Sequence, residues 1–250
     1  MTWIMIKKEA REAWRSRRFL ILLIVFLIFG LMNPLMAKLT PEIMKMSFGK
    51  QFSVPAPTSL DSWTQFYKNN SQIGIYLLAI IFGGTISGEV NRGTLVNLVT
   101  KGLPRRTVIV SKWLVITAEW LLVALVSFLV TWGYTAYYFP DQKSPHLWLA
   151  FLPLLLFGCS LTALIVLAST LARNSYEGLF MVIGYTIVLY LLSLFTDFKH
   201  YNPLSLINHN LTFLTKAGSL TPYWPALLVT GVLGALALLV ANLKFARKQL

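Results

Sequence analysis

Six stretches of this chain are apolar for long enough, or nearly so, to cross a bilayer, and no soluble fold buries all of them. They run from Phe19 to Ala37, Ile73 to Ser87, Val108 to Tyr138, Leu147 to Leu171, Leu179 to Phe195 and Tyr223 to Leu243. A helix needs roughly 20 mainly apolar residues to cover about 30 Å of hydrocarbon. The second stretch is short unless it extends outward through Ser71 or inward to Val90, and the third is long enough to tilt or to project into water. Hydrophobic residues make up 56% of the chain and charged ones only 12%, at a mean hydropathy of +0.64. Such values exclude an ordinary soluble domain and predict an all-α membrane protein with six spans.

Lysines and arginines resist translocation, so their placement orients the spans. With the N-terminus inside, every arginine falls on the cytosolic side: Arg11, Arg15, Arg17 and Arg18, then Arg92, Arg105 and Arg106, then Arg173 and Arg247. The residues left outside are lysines: Lys38, Lys45, Lys50, Lys68, Lys143, Lys199 and Lys216. Both termini are therefore expected in the cytosol of a cell-membrane protein. The formal charge of +13 is read as topology and contact with anionic lipid heads, not as a nucleic-acid footprint. The first apolar run is longer than a signal-peptide core and lacks a clear cleavage pattern, so it is taken as an uncleaved span.

Residues 1–18 form an amphipathic pattern, with Trp3, Ile6, Ala10, Ala13 and Trp14 on one helical face and Lys7, Lys8, Arg11, Glu12 and Arg15 facing away. That pattern suits a helix lying in the cytosolic interface, either as a simple anchor or as an elbow that braces a partner. Residues 19–250 form the membrane domain. Its outer segment 38–70 contains TPEIMKM, where Thr40 suits a helix cap and Pro41 a first helical position. Pro55 and Pro57 then break the chain, and SLDSWTQFY suits a second short turn. The outer segment 196–222 repeats the cap and proline pairing at Asn202 and Pro203 before an apolar run too short to span. Half-helices at the outer surface are expected there, as a lid or as packed turns.

Catalytic constellations are missing from the sequence. The spans hold no HExxH, no GxSxG and no paired carboxylates, and no GxxxxGK[ST] occurs. Any ATP-driven step therefore needs another polypeptide. Cys159, the only cysteine, reads as a small packing residue inside the fourth span. His200, His209 and Asp197 share one segment but lack the spacing of a metal motif, so no metal is expected. Glu119 is the clear intramembrane ionisable residue, open to structural pairing, a pathway role or proton coupling.

Between the second and third spans lies GTISGEVNRGTLVNLVTKGLPRRTVIVSK, from Gly84 to Lys112. Gly84 and Gly88 permit close helix approach, although Gly83 and Gly84 also suit a local bend. Leu95, Leu98 and Val99 against Asn91, Thr94, Asn97 and Lys101 predict a short amphipathic helix over 91–101. Gly102 caps it and Pro104 stops it, and Arg105, Arg106 and Lys112 return the chain through a basic collar.

These residues resemble the type-2 ABC transporter permease family, whose members carry a Glu, a GT-x-x-x-L helix and a Pro-Arg-Arg turn between the second and third spans. Here the matching positions are Glu89, Gly93, Thr94, Leu98, Pro104, Arg105 and Arg106, and the likeness extends in outline over nearly the whole chain. The resemblance implies a homodimer or heterodimer of permease subunits, each docked to a separate cytosolic ATPase that binds ATP and magnesium, with no cofactor on this chain. It further implies that 91–101 is the coupling helix, with Glu89, Arg92, Gly93, Thr94, Leu95, Leu98, Lys101, Pro104, Arg105 and Arg106 at the ATPase contact. The N-terminal helix, with Trp3, Lys7, Lys8, Arg11 and Trp14, would be the elbow. Glu89 would pair with Arg92 or with a basic residue of that helix.

The cargo implied is an amphipathic or toxin-like peptide or a hydrophobic drug, and Tyr76, Phe82, Glu119, Tyr185 and Tyr190 are candidate pathway residues. Ordinary packing accounts equally for the aromatic ones. Two other readings compete: an autonomous secondary transporter or channel, including sodium extrusion, and an immunity or scaffold protein without turnover. The first of these would carry inverted repeats, and no convincing pair of halves is found.

Overall fold

A backbone that crosses hydrocarbon must satisfy its own hydrogen bonds, and this chain does so with helices throughout. The computed structural model describes residues 2–48, 55–141, 143–215 and 223–248, and no strand occurs among them. Helix α1 covers Thr2–Arg15, and a turn with Arg17 at φ 58° leads into α2, Arg18–Phe48. Then come α3 (Ser59–Asn69), α4 (Ile75–Phe82), α5 (Ser87–Asn91), α6 (Thr94–Thr100) and α7 (Arg105–Tyr138). The rest is α8 (Leu147–Leu171), α9 (Ser175–Leu192), α10 (Ser205–Asn208), α11 (Asn210–Thr215) and α12 (Trp224–Arg247).

Six helical segments are long and apolar enough to cross a membrane: Arg18–Ser47, Ser59–Asn91, Arg105–Tyr138, Leu147–Leu171, Ser175–Leu192 and Trp224–Arg247. Those of α7 and α8 are 56% and 61% buried, against 28%, 22% and 28% for the first, fifth and sixth. The centre of the bundle is therefore α7 with α8, flanked by α2 on α7, α12 on α8 and α9 on α8. An aromatic cluster fills the space between α3, α7 and α8, with Phe128 stacked on Phe151 at 4.2 Å and Trp63 and Phe66 against Phe128.

Two expectations for the outer segment 38–70 are corrected. Thr40 does not cap a new helix: α2 runs on through Pro41, and the Thr40 hydroxyl donates to the Met36 carbonyl inside the same helix. SLDSWTQFY is the start of the second span, not a separate turn. Thr58 and Asp61 form a capping box there, and Ser59, Ser62, Trp63, Phe66 and Tyr67 are buried. A π-helical turn over Asn70–Gly74 joins α3 to α4, so the second span begins well before Ile73. Residues 49–54 of this segment, with Lys50, lie outside the described residues.

Proline inside α2 has a compensated cost. Pro34 cannot donate to the Gly30 carbonyl, and that carbonyl accepts the Thr131 hydroxyl of α7 at 3.3 Å. Thr131 in turn accepts from Asn33, and Asn33 accepts from Asn69, so α2, α3 and α7 are tied by one buried polar chain.

Where half-helical structure is expected before the last span, the chain forms two short helices, α10 and α11, packed on α8. Asn202 does not cap directly beside Pro203 as expected; its side-chain Oδ1 accepts from the Leu204 N–H in an Asx turn, and its side-chain Nδ2 donates to the Leu189 carbonyl. Residues 216–222 of that segment, with Lys216, lie outside the described residues.

Candidate functional site

The polar insert is built by a broken span. The second span loses regular α-helix between Gly83 and Ile86, which frees backbone N–H groups that hydrocarbon cannot satisfy. Ser169 of α8 supplies the acceptor: its hydroxyl receives the N–H of Ile86 at 2.8 Å and of Ser87 at 3.3 Å. Close packing holds the break. A Cβ on Gly84 would collide with Ser175, and one on Gly178 with the Gly83 carbonyl, so both glycines of this contact are required by space. Of the expected pair Gly84 and Gly88, only Gly84 is a close-approach glycine, with α9 as the neighbour, since a Cβ on Gly88 would meet Ser175 at an ordinary 3.8 Å; the alternative bend at Gly83 and Gly84 is present as well.

Beyond the break, α5 carries Glu89, and a turn at Arg92 and Gly93 redirects the chain into α6. Gly93 has φ +71° and Gly102 φ +89°, so glycines occupy left-handed positions at both ends of α6. The expected helix over 91–101 is therefore two pieces: Asn91 ends α5, and the amphipathic helix itself is Thr94–Thr100. Leu95 is buried and Leu98 half-buried against the core, while Arg92, Thr94, Asn97, Lys101 and Arg106 are exposed. The exposed face is short, polar and basic.

Glu89 does not pair with Arg92. The expected alternative, a basic residue of the N-terminal helix, is met by Lys8 at 3.8 Å, and a closer partner is Lys112, a residue placed by sequence in the basic collar but 1% exposed in the structure. The Lys112 ammonium donates to Glu89 at 2.5 Å and to Glu9 at 2.9 Å. Lys8 lies beside it, 2.9 Å from Glu9, 2.8 Å from Glu12 and 3.8 Å from Glu89. Five charged side chains from α1, α5 and α7 thus form one buried-to-half-buried cluster. Burial alone would lower the Lys8 ammonium, but its hydrogen bond to Glu12 and the charges of Glu9 and Glu89 carry it above its ordinary value. Burial would raise the Glu12 carboxyl, and Lys8 outweighs that and holds it below the usual carboxylate range.

The expected faces of α1 are corrected accordingly. Met5 and Glu9 turn inward against the bundle, and Lys8 and Glu12 join them at the charge cluster instead of facing away with Lys7, Arg11 and Arg15. Trp3 and Trp14 remain on the outside, exposed. The missed residues are Glu9 and Lys112. A signal for Lys112 was present, because it lies within the buried apolar series Val108, Ile109, Val115 and Ile116, where a cation needs an acidic partner.

Arg105 is also drawn inward. Its guanidinium donates to the carbonyls of Phe245 at 2.9 Å, Ala246 at 3.1 Å and Lys248 at 2.5 Å, closing the C-terminus of α12. Pro104 caps α7 with extended backbone. The other singled-out residues scatter: Phe82 is buried at the end of α4, Tyr185 is half-buried, and Tyr76 and Tyr190 are exposed on α4 and α9. Glu119 is buried on α7 and takes part in no ion pair among the described residues. His209 meets the Ser205 carbonyl at 3.0 Å and packs on Tyr223.

The comparisons with known proteins bear on the chain as a whole. The profile of a family described as "ABC-2 family transporter protein" matches residues 3–250. The chain is also 25% identical over 138 residues to the uncharacterized transmembrane protein YxlG of Bacillus subtilis (strain 168), a match covering 54% of this chain and 52% of that relative. The matched stretch spans about half the length of that relative.

Proposed function

Since this chain belongs to the ABC-2 family of transporter membrane proteins, whose permeases lack an ATPase domain and work with a cytosolic ATPase, we propose that it is the permease subunit of an ATP-driven exporter. In this reading both termini are cytosolic, α1 lies in the inner interface beside anionic lipids, and α6 seats in a cleft of the ATPase. ATP and magnesium bind the ATPase, not this chain. Two permease subunits, a second copy or a related chain, close the pathway between them.

The observation that carries the reading is the ion cluster around Lys112. A displacement of α6 acts on α5 through the short Gly93 turn, and Glu89 on α5 is held by Lys112 of α7. Because α7 has 34 residues, about 50 Å at 1.5 Å per residue, a push at its end moves a lever that crosses the whole bundle. Glu9 binds the same ammonium, so α1 moves with it. Binding energy released at the ATPase would thereby bias the spans between two arrangements. Amphipathic or hydrophobic cargo suits the half-buried Tyr185 and the exposed Tyr76 and Tyr190, which a second subunit would cover. Glu89, Lys112 and Glu119 do not form a sodium path in this reading, since the first two are consumed by one another.

Co-purification with the ATPase tests it. Asn97→Trp on α6 and Lys101→Glu at its C-terminal cap alter only exposed positions and should abolish complex formation or ATPase stimulation while the chain keeps its melting temperature. An unchanged complex with unchanged stimulation would remove α6 from the coupling role.

A further inference from the structure

Glu119 lies two turns beyond Lys112 on α7, about 10 Å deeper along the helix. It is 6% exposed, and its Oε2 has no hydrogen-bond partner. The neighbouring cations do not supply one. Lys112 is engaged by Glu9 and Glu89, and Lys8 by Glu9 and Glu12. Arg18 lines a small cavity together with Glu9, Glu12, Lys112 and Glu119, but makes no ion pair with Glu119. A buried carboxylate left in this condition is costly and is stabilised by any cation that reaches it.

A route for such a cation is present. Glu119 also lines a groove of about 440 Å³ between α1, the start of α2 and α7, whose other walls include Ile6, Ala13, Trp14, Phe19 and Ala118. It is the single ionisable residue on an otherwise apolar lining, and Trp14 stands exposed at the edge, where an indole face attracts cations. Drug-sized ligands occupy pockets of roughly 300–1,000 Å³. This groove is at the small end of that range, which favours a compact amphiphile over a lipid with two acyl chains.

We propose that the α1–α7 groove binds a drug-sized amphiphilic cation, its charge on Glu119 and its apolar body along Ile6, Ala13, Phe19 and Ala118. As a statement about cargo this rests on the exporter reading above; as a statement about binding it stands apart from the ATPase.

The test uses the full chain alone in phosphatidylcholine nanodiscs, with tetraphenylphosphonium binding followed by equilibrium dialysis against empty discs. Tetraphenylborate, of the same shape and opposite charge, is the control. Wild type should bind the phosphonium saturably and the borate without saturation. Glu119→Gln preserves shape and should weaken phosphonium affinity about tenfold or more, with an unchanged melting temperature. Ala118→Trp should fill the groove and remove the site. Absence of saturable binding, equal affinity in Glu119→Gln, or saturable borate binding would each overturn the proposal. Loss of phosphonium binding to wild type in phosphatidylethanolamine discs would also overturn it, by assigning the groove to a lipid ammonium. Because no ATPase is present, failure here leaves the coupling reading of α6 untouched, and failure of the ATPase test leaves this one.

Discussion

Replacing Lys112 by methionine removes the buried cation that links Glu9 to Glu89 and leaves both carboxylates to the half-exposed Lys8 alone. Breaking a fully buried pair costs about 3–5 kcal/mol, an upper bound here because Lys8 remains, whereas replacing all partners by neutral groups costs far less. Lys112→Met should therefore lower the melting temperature in detergent sharply, and adding Glu9→Gln and Glu89→Gln should recover most of the loss. A melting temperature unmoved by the single substitution would sink the cluster as a structural joint. The edge of the cluster responds to pH. Glu12 titrates lower in the folded chain than in the unfolded one, so its contribution is complete above about pH 4 and is lost as pH falls through the folded value. Lys8 titrates higher when folded, so its contribution holds below about pH 10 and is lost only as pH rises through its folded value. A nitroxide on Ala10, an exposed position of α1, should keep its mobility from about pH 5 to 9 and become more mobile below about pH 4. At this scale the sequence was only partly legible. Glu89 was recognisable as a charge in need of a partner. Its closer partner was hidden because Lys112 follows Arg105 and Arg106 within about two helical turns, which made a buried cation look like one more member of an exposed collar.

The two left-handed glycines control the α6 element. A Cβ at Gly93 or Gly102 would meet nothing within 4 Å, so any cost of substitution comes from backbone conformation alone. Gly93→Ala and Gly102→Ala should each cost roughly 1–2 kcal/mol, and the loss at Gly93 should bring weaker ATPase stimulation because it re-aims α6 relative to Glu89. Circular dichroism melts and ATPase rates on the complex check both parts; a Gly93→Ala chain that melts as wild type would show that the turn is not held left-handed. Elements were legible wherever a local rule fixed them. Gly102 and Pro104 bounded α6, and the apolar spacing of Leu95 and Leu98 defined its inner face. The second span was misjudged because its first third is polar by composition. Thr58 and Asp61 carried a capping signal, and Leu60, Trp63, Phe66 and Tyr67 recur at helical spacing, but their burial depends on α7 and α8, which no local window contains. The run of α2 through Pro41 was obscured in the same way, since a proline that looks like a helix start is also tolerated inside a long helix.

Across the whole molecule, charge separates the two ends of the bundle. The end holding α1, α6 and the close of α12 carries the arginines, and the arginine at 105 is consumed in closing α12 rather than left free. Positive segments are retained on the cytosolic side, so the end with α6 should be inaccessible from outside an intact cell and the α2–α3 end accessible. A chain with Cys159→Ser as background provides the test, because Cys159 is the only native cysteine. Ala56→Cys, exposed just before α3, should react with a membrane-impermeant maleimide on intact cells, while Asn97→Cys, exposed on α6, should react only after permeabilisation. The reverse pattern would place α6 outside, where no ATPase could reach it, and would overturn the exporter mechanism while leaving the six-span fold intact. Labelling of both positions in intact cells would point to mixed insertion, in which only the inward-facing fraction couples to ATP. Stimulated ATPase activity per chain in sealed membranes would then fall in proportion to that fraction, which makes the orientation measurement the calibration for every membrane-based assay on this permease.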